Sequence, residues 1–166
     1  VSGDWSYCVD DPYINEEIGR KALTDSYEIV IIGGGFGGVL AASRLKEAGF
    51  SDFKIIEKGG NFGGTWYWNR YPGASCDIES YIYFPLLEET KFIPGKKYTN
   101  APETLKYFDI ISEKFGLNEH AIFQTEVNDV RWNDDERLWE LNTNKGDKIK
   151  CNYVVHANGP LNRPQL

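Results

Sequence analysis

An α/β fold of Rossmann type, a βαβ unit with a parallel sheet plus a β-hairpin meander, is predicted from three observations. A β-branched run without turn residues, Glu28-Ile29-Val30-Ile31-Ile32, reads as a fully buried parallel strand. A glycine turn, Gly33 to Gly38, follows it immediately. A helical stretch, Val39 to Ala48 ended by Gly49, then leads into a second strand, Phe53 to Glu57. Strand, turn, helix and strand fit within about thirty residues, the length that a right-handed crossover needs.

The other elements follow in chain order. Residues 1–25 are polar, carry Pro12 and several acids, and read as an N-terminal arm on the surface with one weak helix over Glu16 to Leu23. Residues 26–166 form the domain proper. Lys58 to Gly73 is rich in glycine and aromatics and has no steady period. Ala101 to Phe115 is a second helix, with Asn100 as its cap, Pro102 in its first turn and Gly116 at its end. Ala121–Trp132, Leu138–Thr143, Lys148–Cys151 and Tyr153–Ala157 read as strands, with a hairpin around Asn144-Lys145-Gly146-Asp147.

Composition narrows the function. The 166 residues are 41% hydrophobic and 26% charged, which suits a packed globular chain. A net charge of −7 argues against nucleic-acid and anionic-membrane surfaces, both of which need clustered Lys and Arg. The least polar stretch, Ile29 to Ala42, holds five glycines and is too short to span a bilayer. Val1 to Asp10 lacks the pattern of a signal peptide, so a cytoplasmic protein is expected. Cys8, Cys76 and Cys151 form no CxxC pair and His120 and His156 lie far apart, so no metal site is expected.

The hexapeptide Gly33-Gly34-Gly35-Phe36-Gly37-Gly38 satisfies G-x-G-x-x-G, and each required glycine has its own reason. Gly33 permits the tight turn off the strand, Gly35 lets backbone approach a pyrophosphate, and Gly38 lets the helix pack on the strand. The helix then presents free N–H groups and its positive dipole end to the phosphates. Glu57 closes the next strand where an acid can accept ribose hydroxyls and would repel a 2′-phosphate, which favours FAD or NAD over NADP. After it comes Gly63-Gly64-Thr65-Trp66-Tyr67-Trp68-Asn69-Arg70-Tyr71-Pro72-Gly73. This loop can bring flat rings to an isoalloxazine, or it can be an aromatic core cluster.

The run GGTWYWNRYPGASCDIESYIY resembles the flavin-proximal segment of type I Baeyer–Villiger monooxygenases, relatives of the flavin-containing and N-hydroxylating monooxygenases. The resemblance extends from about Asp4 to the C-terminus, including PLLEET at Pro85 to Thr90 and FGL at Phe115 to Leu117. Val154-Val155-His156-Ala157-Asn158-Gly159-Pro160 resembles the family's ATG turn, with Asn158 in place of Thr.

The resemblance implies an FAD-binding portion. Gly33, Gly35, Gly37 and Gly38 would hold the pyrophosphate beside Phe36, and Glu57 the adenosine ribose beside Lys58. Gly64, Thr65 and Trp66 would lie along the flavin, with Asp77 and Tyr83 near the isoalloxazine, and the Val127 backbone would contact adenine. Asp77 would also position an active-site arginine supplied from later in a longer chain, which makes it the catalytic candidate here. Ser75 stands where the family often has arginine, which weakens the expected nicotinamide-facing contact. The implied chemistry is reduction of flavin by NADPH, reaction with O₂, and insertion of an oxygen next to a ketone carbonyl to give an ester or lactone.

Other conspicuous residues read as structural. Cys76 is expected to pack, His156 to be hydrogen-bonded in the core, His120 to be exposed, and Asp134, Asp135 and Glu136 to form a solvated hairpin tip. No second G-x-G-x-x-G occurs and no His-Trp-Pro element is present, so NADPH is expected to bind mainly outside this chain, and the fold reads as incomplete. Three expectations follow: one piece of a monooxygenase completed by a second polypeptide or the remainder of the enzyme, a standalone flavoprotein working without nicotinamide, or a non-catalytic flavin-binding module.

Overall fold

The computed structural model describes residues 11–160; the stretch without a signal-peptide pattern, Val1 to Asp10, and Cys8 within it lie outside these. Its centre is a six-stranded sheet in the order β3-β2-β1-β6-β5-β4. β1 (Ser26–Ile32) runs parallel to β2 (Phe53–Ile56) on one side and to β6 (Lys148–His156) on the other. β3 (Ala121–Ile122) extends the parallel half, whereas β4 (Val127–Asn133) and β5 (Leu138–Thr143) make the antiparallel half with β6. Val30 and Ile31 are fully buried, as a β-branched run with both faces covered must be.

Helix α1 (Phe36–Glu47) begins a turn earlier than its apolar period suggests. Gly35 caps it, and the Gly35 carbonyl already accepts the Val39 N–H at 3.0 Å, so Gly37 and Gly38 are helical despite their poor propensity. Three short helices follow, α2 (Thr65–Trp68), α3 (Ser80–Tyr83) and α4 (Leu87–Thr90), so Lys58–Gly73 is not a plain loop. Helix α5 (Ala101–Phe115) is capped as the sequence indicates: the Asn100 side chain accepts from the Glu103 N–H and Gly116 takes a left-handed conformation. It buries Tyr107, Phe108 and Ile111 against the larger of two cores, which includes Ile31, Val39 and Phe53; the smaller core holds Val30, Leu141 and Ile149 on the other face of the sheet.

Four sequence expectations change. Glu16–Leu23 is not helical, because its polar groups bond to the domain instead: Ile18 N–H donates to Gln124 Oε1 at 2.7 Å and Arg20 pairs with Asp147. Ala121–Trp132 is two strands, broken where Gln124 turns left-handed (φ +52°) and the Gln124 and Thr125 N–H groups donate to the carbonyls of Gly59 and Glu57. The two C-terminal strands are one, since Cys151 and Tyr153 both pair with β1. His120 is half-buried rather than exposed: it stacks on Phe53 with centroids 4.1 Å apart, and its Nδ1 lies 3.1 Å from the Phe53 carbonyl. The acids Asp134, Asp135 and Glu136 do form an exposed turn between β4 and β5.

Candidate cofactor-binding site

At the carboxyl ends of β1, β2 and β6 lies a cavity of about 780 Å³, walled by Ile32, Ile56 and His156 from the three strand ends. In an open α/β sheet this is where ligands bind, because neighbouring strand connections diverge there and leave a crevice. The cavity is large enough for a drug-sized ligand or an extended cofactor.

The glycine turn shows which constraints come from the chain itself. Gly33 has φ +108°, and a Cβ there would stand 2.5 Å from the Ala157 carbonyl oxygen, so the turn off β1 and the return of the chain after β6 both exclude a side chain. A Cβ on Gly38 would meet the Gly33 carbonyl oxygen at 1.9 Å, which makes Gly38 a helix–strand packing glycine; it does not line the cavity. Gly35 differs. Its φ is −77°, which any residue adopts, and the nearest atom to a Cβ is the Gly64 Cα at 3.5 Å. Nothing within the chain requires glycine at position 35, and the space it leaves open is cavity.

Glu57 is buried at the cavity wall. Its Oε2 accepts the Gly34 N–H at 2.5 Å and its Oε1 the Gly59 N–H at 2.6 Å. A carboxylate has about four acceptor positions, so lone pairs on both oxygens are left over for a ligand. Burial pushes its pKa up, and the two backbone N–H groups partly offset this. Lys58 lines the same wall and pairs with Glu126 at 3.5 Å.

Aromatic rings line another part of the cavity. Trp66 donates its indole N–H to the Tyr83 hydroxyl at 3.0 Å, which fixes both rings along the cavity. Phe36, the first residue of α1, stacks on Phe108 at 4.2 Å and meets Tyr83 edge-on at 5.2 Å. Burial raises the Tyr83 pKa, so the hydroxyl stays protonated at neutral pH. Of the loop aromatics, Trp66 and Trp68 face the cavity, Tyr67 is turned into the interior, and Tyr71 is exposed. The loop is thus part cavity wall and part core.

Of the residues singled out from sequence, Gly33, Gly35, Phe36, Gly37, Glu57, Lys58, Gly64, Thr65, Trp66, Tyr83 and Val127 meet around this one cavity. Gly38 and Asp77 do not line it, and Asp77 is exposed to one side, close enough to Tyr83 to raise its pKa. His156 is corrected: it is exposed and lines the cavity rather than being held in the core, because it pairs with Ile32 at the carboxyl ends of β1 and β6, where the sheet borders the crevice. Cys76 is buried. Sequence reasoning brought the aromatic run with Trp68 and Asn69 to the cofactor but missed Phe108 of α5 and the strand β4 residues Asn128 to Val130, which line the cavity from distant parts of the chain. No group of three or more metal-ligating side chains occurs among the described residues, and none of their helices is long and apolar enough to cross a membrane.

Comparison with known proteins places this geometry. The pattern of the pyridine nucleotide-disulphide oxidoreductase family matches residues 30–166. Baeyer-Villiger monooxygenase ATR8 of Stachybotrys chlorohalonatus is 43% identical over 162 residues, covering 98% of this chain and 26% of that protein. The structure of the polycyclic ketone monooxygenase from the thermophilic fungus Thermothelomyces thermophila superposes with a TM-score of 0.88 at 38% identity, over 100% of this chain and 29% of that one. The structure of OTEMO in complex with FAD and NADP superposes with a TM-score of 0.78 at 32% identity, over 84% of this chain and 27% of that one. The chain spans about a quarter of the length of the curated relatives it matches. With a glycine turn, a buried acid and an aromatic wall around one crevice, and with similarity to Baeyer–Villiger monooxygenases along nearly its whole length, the chain belongs to the pyridine nucleotide-disulphide oxidoreductase family.

Proposed function

We propose that these residues are the FAD-binding part of an NADPH- and O₂-dependent flavin monooxygenase of Baeyer–Villiger type, which inserts oxygen next to a ketone carbonyl. The observation that carries the reading is Gly35, a glycine that no contact among the described residues explains, facing a cavity that the Glu57 carboxylate also lines. A pyrophosphate against the Gly33–Gly37 backbone uses the first N–H groups of α1 and its positive end. Spare lone pairs on Glu57 accept the ribose hydroxyls, Lys58 flanks them, and the Val127 backbone meets the adenine. Gly64, Thr65, Trp66 and Tyr83 line the ring system and keep water from it. When bound, the flavin supplies the redox and oxygen-transfer chemistry; the protein supplies orientation and exclusion of water. Gly38 supports this by packing α1 onto β1, and Asp77 acts at the margin of the site, orienting a positive group brought by another part of the enzyme.

NADPH in this reading binds mainly outside these 166 residues, and the ketone is seated with a second polypeptide or the remainder of a longer chain, in the cytoplasm. Ile78, Tyr81, Ile82 and Ile93 support such a neighbour: these large apolar side chains are exposed in and just after the segment that carries Asp77 and Tyr83. The test is the purified chain itself. It should be yellow, release FAD on denaturation, and lose the flavin on Gly35→Leu. A colourless wild type that takes up no added FAD overturns the reading.

A further inference from the structure

Three aromatic side chains run in unbroken series from the cavity wall to the surface. Trp68 lines the cavity. Its ring meets Tyr67 edge-on with centroids 5.1 Å apart, and Tyr67 meets Tyr13 edge-on at 5.7 Å. Tyr67 is 3% exposed and Tyr13 36%, so the series ends in solvent. The Tyr67 hydroxyl donates to Asp11 Oδ2 at 2.7 Å and accepts the Gly60 N–H at 2.9 Å. The Arg70 guanidinium is close to both tyrosine rings, 4.0 Å from the Tyr13 centroid and 4.6 Å from that of Tyr67.

These contacts do more than pack rings. A positive charge beside a phenol ring opposes a cation on that ring, so Tyr67 can lose an electron only by losing its proton as well. The acceptor is already in place, because the phenol points at a carboxylate. Burial and that same bond push the Tyr67 pKa to about 12, so the proton stays on Tyr67 until the ring is oxidised.

We propose that Trp68, Tyr67 and Tyr13 form a relay that carries a single oxidising equivalent out of the cofactor cleft to the surface, with the Asp11 carboxylate as proton acceptor at its midpoint. A one-electron oxidant in the cleft, light-excited oxidised flavin or an oxygen-centred radical formed by O₂ reduction, takes one electron from the Trp68 indole and is itself reduced by one electron. Tyr67 returns that electron to Trp68 and passes its hydroxyl proton to Asp11, leaving a neutral tyrosyl radical beside a carboxylic acid. Tyr13 then gives one electron to Tyr67, which recovers its proton from Asp11, while Tyr13 releases its own proton to water. A small surface reductant, a thiol or ascorbate, supplies one electron and one proton to Tyr13 and restores the chain. The relay rests on the flavin reading for the source of its oxidant, since a cofactor that reacts with O₂ exposes Trp68 to strong oxidants.

Two arms test the relay. In the first, the flavin-loaded chain is excited with blue light, light-excited flavin being the oxidant, and radicals are followed by transient absorption and electron paramagnetic resonance. In the second, the flavin-free chain is oxidised from the cleft by a photogenerated ruthenium(III) polypyridyl attached through the thiol of Asn128→Cys, at the cavity wall. Wild type should give a neutral tyrosyl radical in both arms. Tyr67→Phe should lose it in both, leaving a tryptophan radical in the first. Trp68→Phe should lose it in both arms, and Asp11→Asn should slow its formation and remove the dependence on solvent deuteration. Circular dichroism identifies variants that keep the fold. A tyrosyl yield unchanged in folded Tyr67→Phe in the ruthenium arm overturns the relay, whereas absence of retained flavin overturns the proposed function and leaves the second arm to judge the relay.

Discussion

The Arg20 guanidinium grips the Asp147 carboxylate with two parallel bonds, Nη1 to Oδ1 at 2.5 Å and Nη2 to Oδ2 at 2.7 Å, and so fastens the N-terminal segment to the turn between β5 and β6. The Asp147 side chain is fully buried and also accepts the Leu23 N–H and the Thr143 hydroxyl. Arg20 reaches on to the Thr125 hydroxyl at 3.1 Å, two residues before Val127 in the cavity wall. A segment that looks peripheral in the sequence is therefore coupled to the site.

The bond to Arg20, helped by the Leu23 and Thr143 donors, holds the Asp147 pKa down at about 2 against an ordinary 3.8. A carboxyl with a depressed folded pKa stabilises the fold above its unfolded value, and that contribution is lost as pH falls from about 3.8 towards about 2. The expected contribution is about 2 kcal/mol. Thermal melts between pH 5 and pH 2 should show a steeper loss in wild type than in Asp147→Asn. Arg20→Ala leaves a buried carboxylate unpaired and should cost about 3 kcal/mol in urea unfolding at pH 7.

Gly35 and Gly38 should separate binding from folding. Gly35→Leu places its side chain in the cavity, where the chain has no atom within 3.4 Å of the added Cβ, so the melting temperature should change little and flavin retention should vanish. Gly38→Ala drives a methyl into the Gly33 carbonyl and should lower stability by about 1–3 kcal/mol, the usual cost of overpacking. Released-flavin absorbance and denaturant melts on the two variants read the contrast.

Glu57 has a raised folded pKa, so the unfolded chain gives up this proton first. Stability from this residue is complete below the ordinary carboxylate range, near 4.5, and is lost as pH rises towards the folded value. Glu57→Gln removes that dependence. The melting temperature of the variant relative to wild type should improve as pH rises above the ordinary carboxylate range, while its FAD affinity falls because an amide offers fewer acceptor positions to the ribose. An FAD titration unchanged by the substitution would show that the carboxylate serves only the Gly34 and Gly59 N–H groups.

NADPH oxidation by the 166-residue chain alone should be far below the roughly 1 to 10³ per second of ordinary enzymes. The sequence contains a single phosphate-cradling turn, and in the proposed function FAD takes it. Absorbance at the nicotinamide band, with FAD supplied and no other protein, measures this; rapid consumption would reveal a second nucleotide site.

The parallel half of the fold was legible because its signals are local. Five β-branched or acidic residues, a glycine turn and a capped helix each specify their own conformation. Glu57 and the Gly33–Gly38 turn could be assigned to one site because only a short crossover separates them. The missed features depend on distant partners. The left-handed Gln124 is set by Gly59 across the sheet edge, the stacking of His120 on Phe53 joins a short helical turn to β2, and Trp68 faces the cavity while Tyr67 beside it does not. No periodicity in a four-residue helix can foretell that last division; it follows from Asp11, far away in the sequence, holding the Tyr67 hydroxyl.

The register of β6 bears on how the domain is made. Ile32, at the lip of the glycine turn, pairs with His156, and Ala157 N–H donates to the Ile32 carbonyl at 2.8 Å. During synthesis the βαβ unit leaves the ribosome early, yet the strand that completes its crevice is among the last segments made of these 166 residues. Pairing between such remote partners requires closure of a long loop and is slow compared with local contacts. Until it happens, β1 has an open edge and the glycine turn lacks the Ala157 carbonyl against it. The nascent chain should therefore capture cofactor only after β6 has docked, so that flavin acquisition reports completion of the sheet.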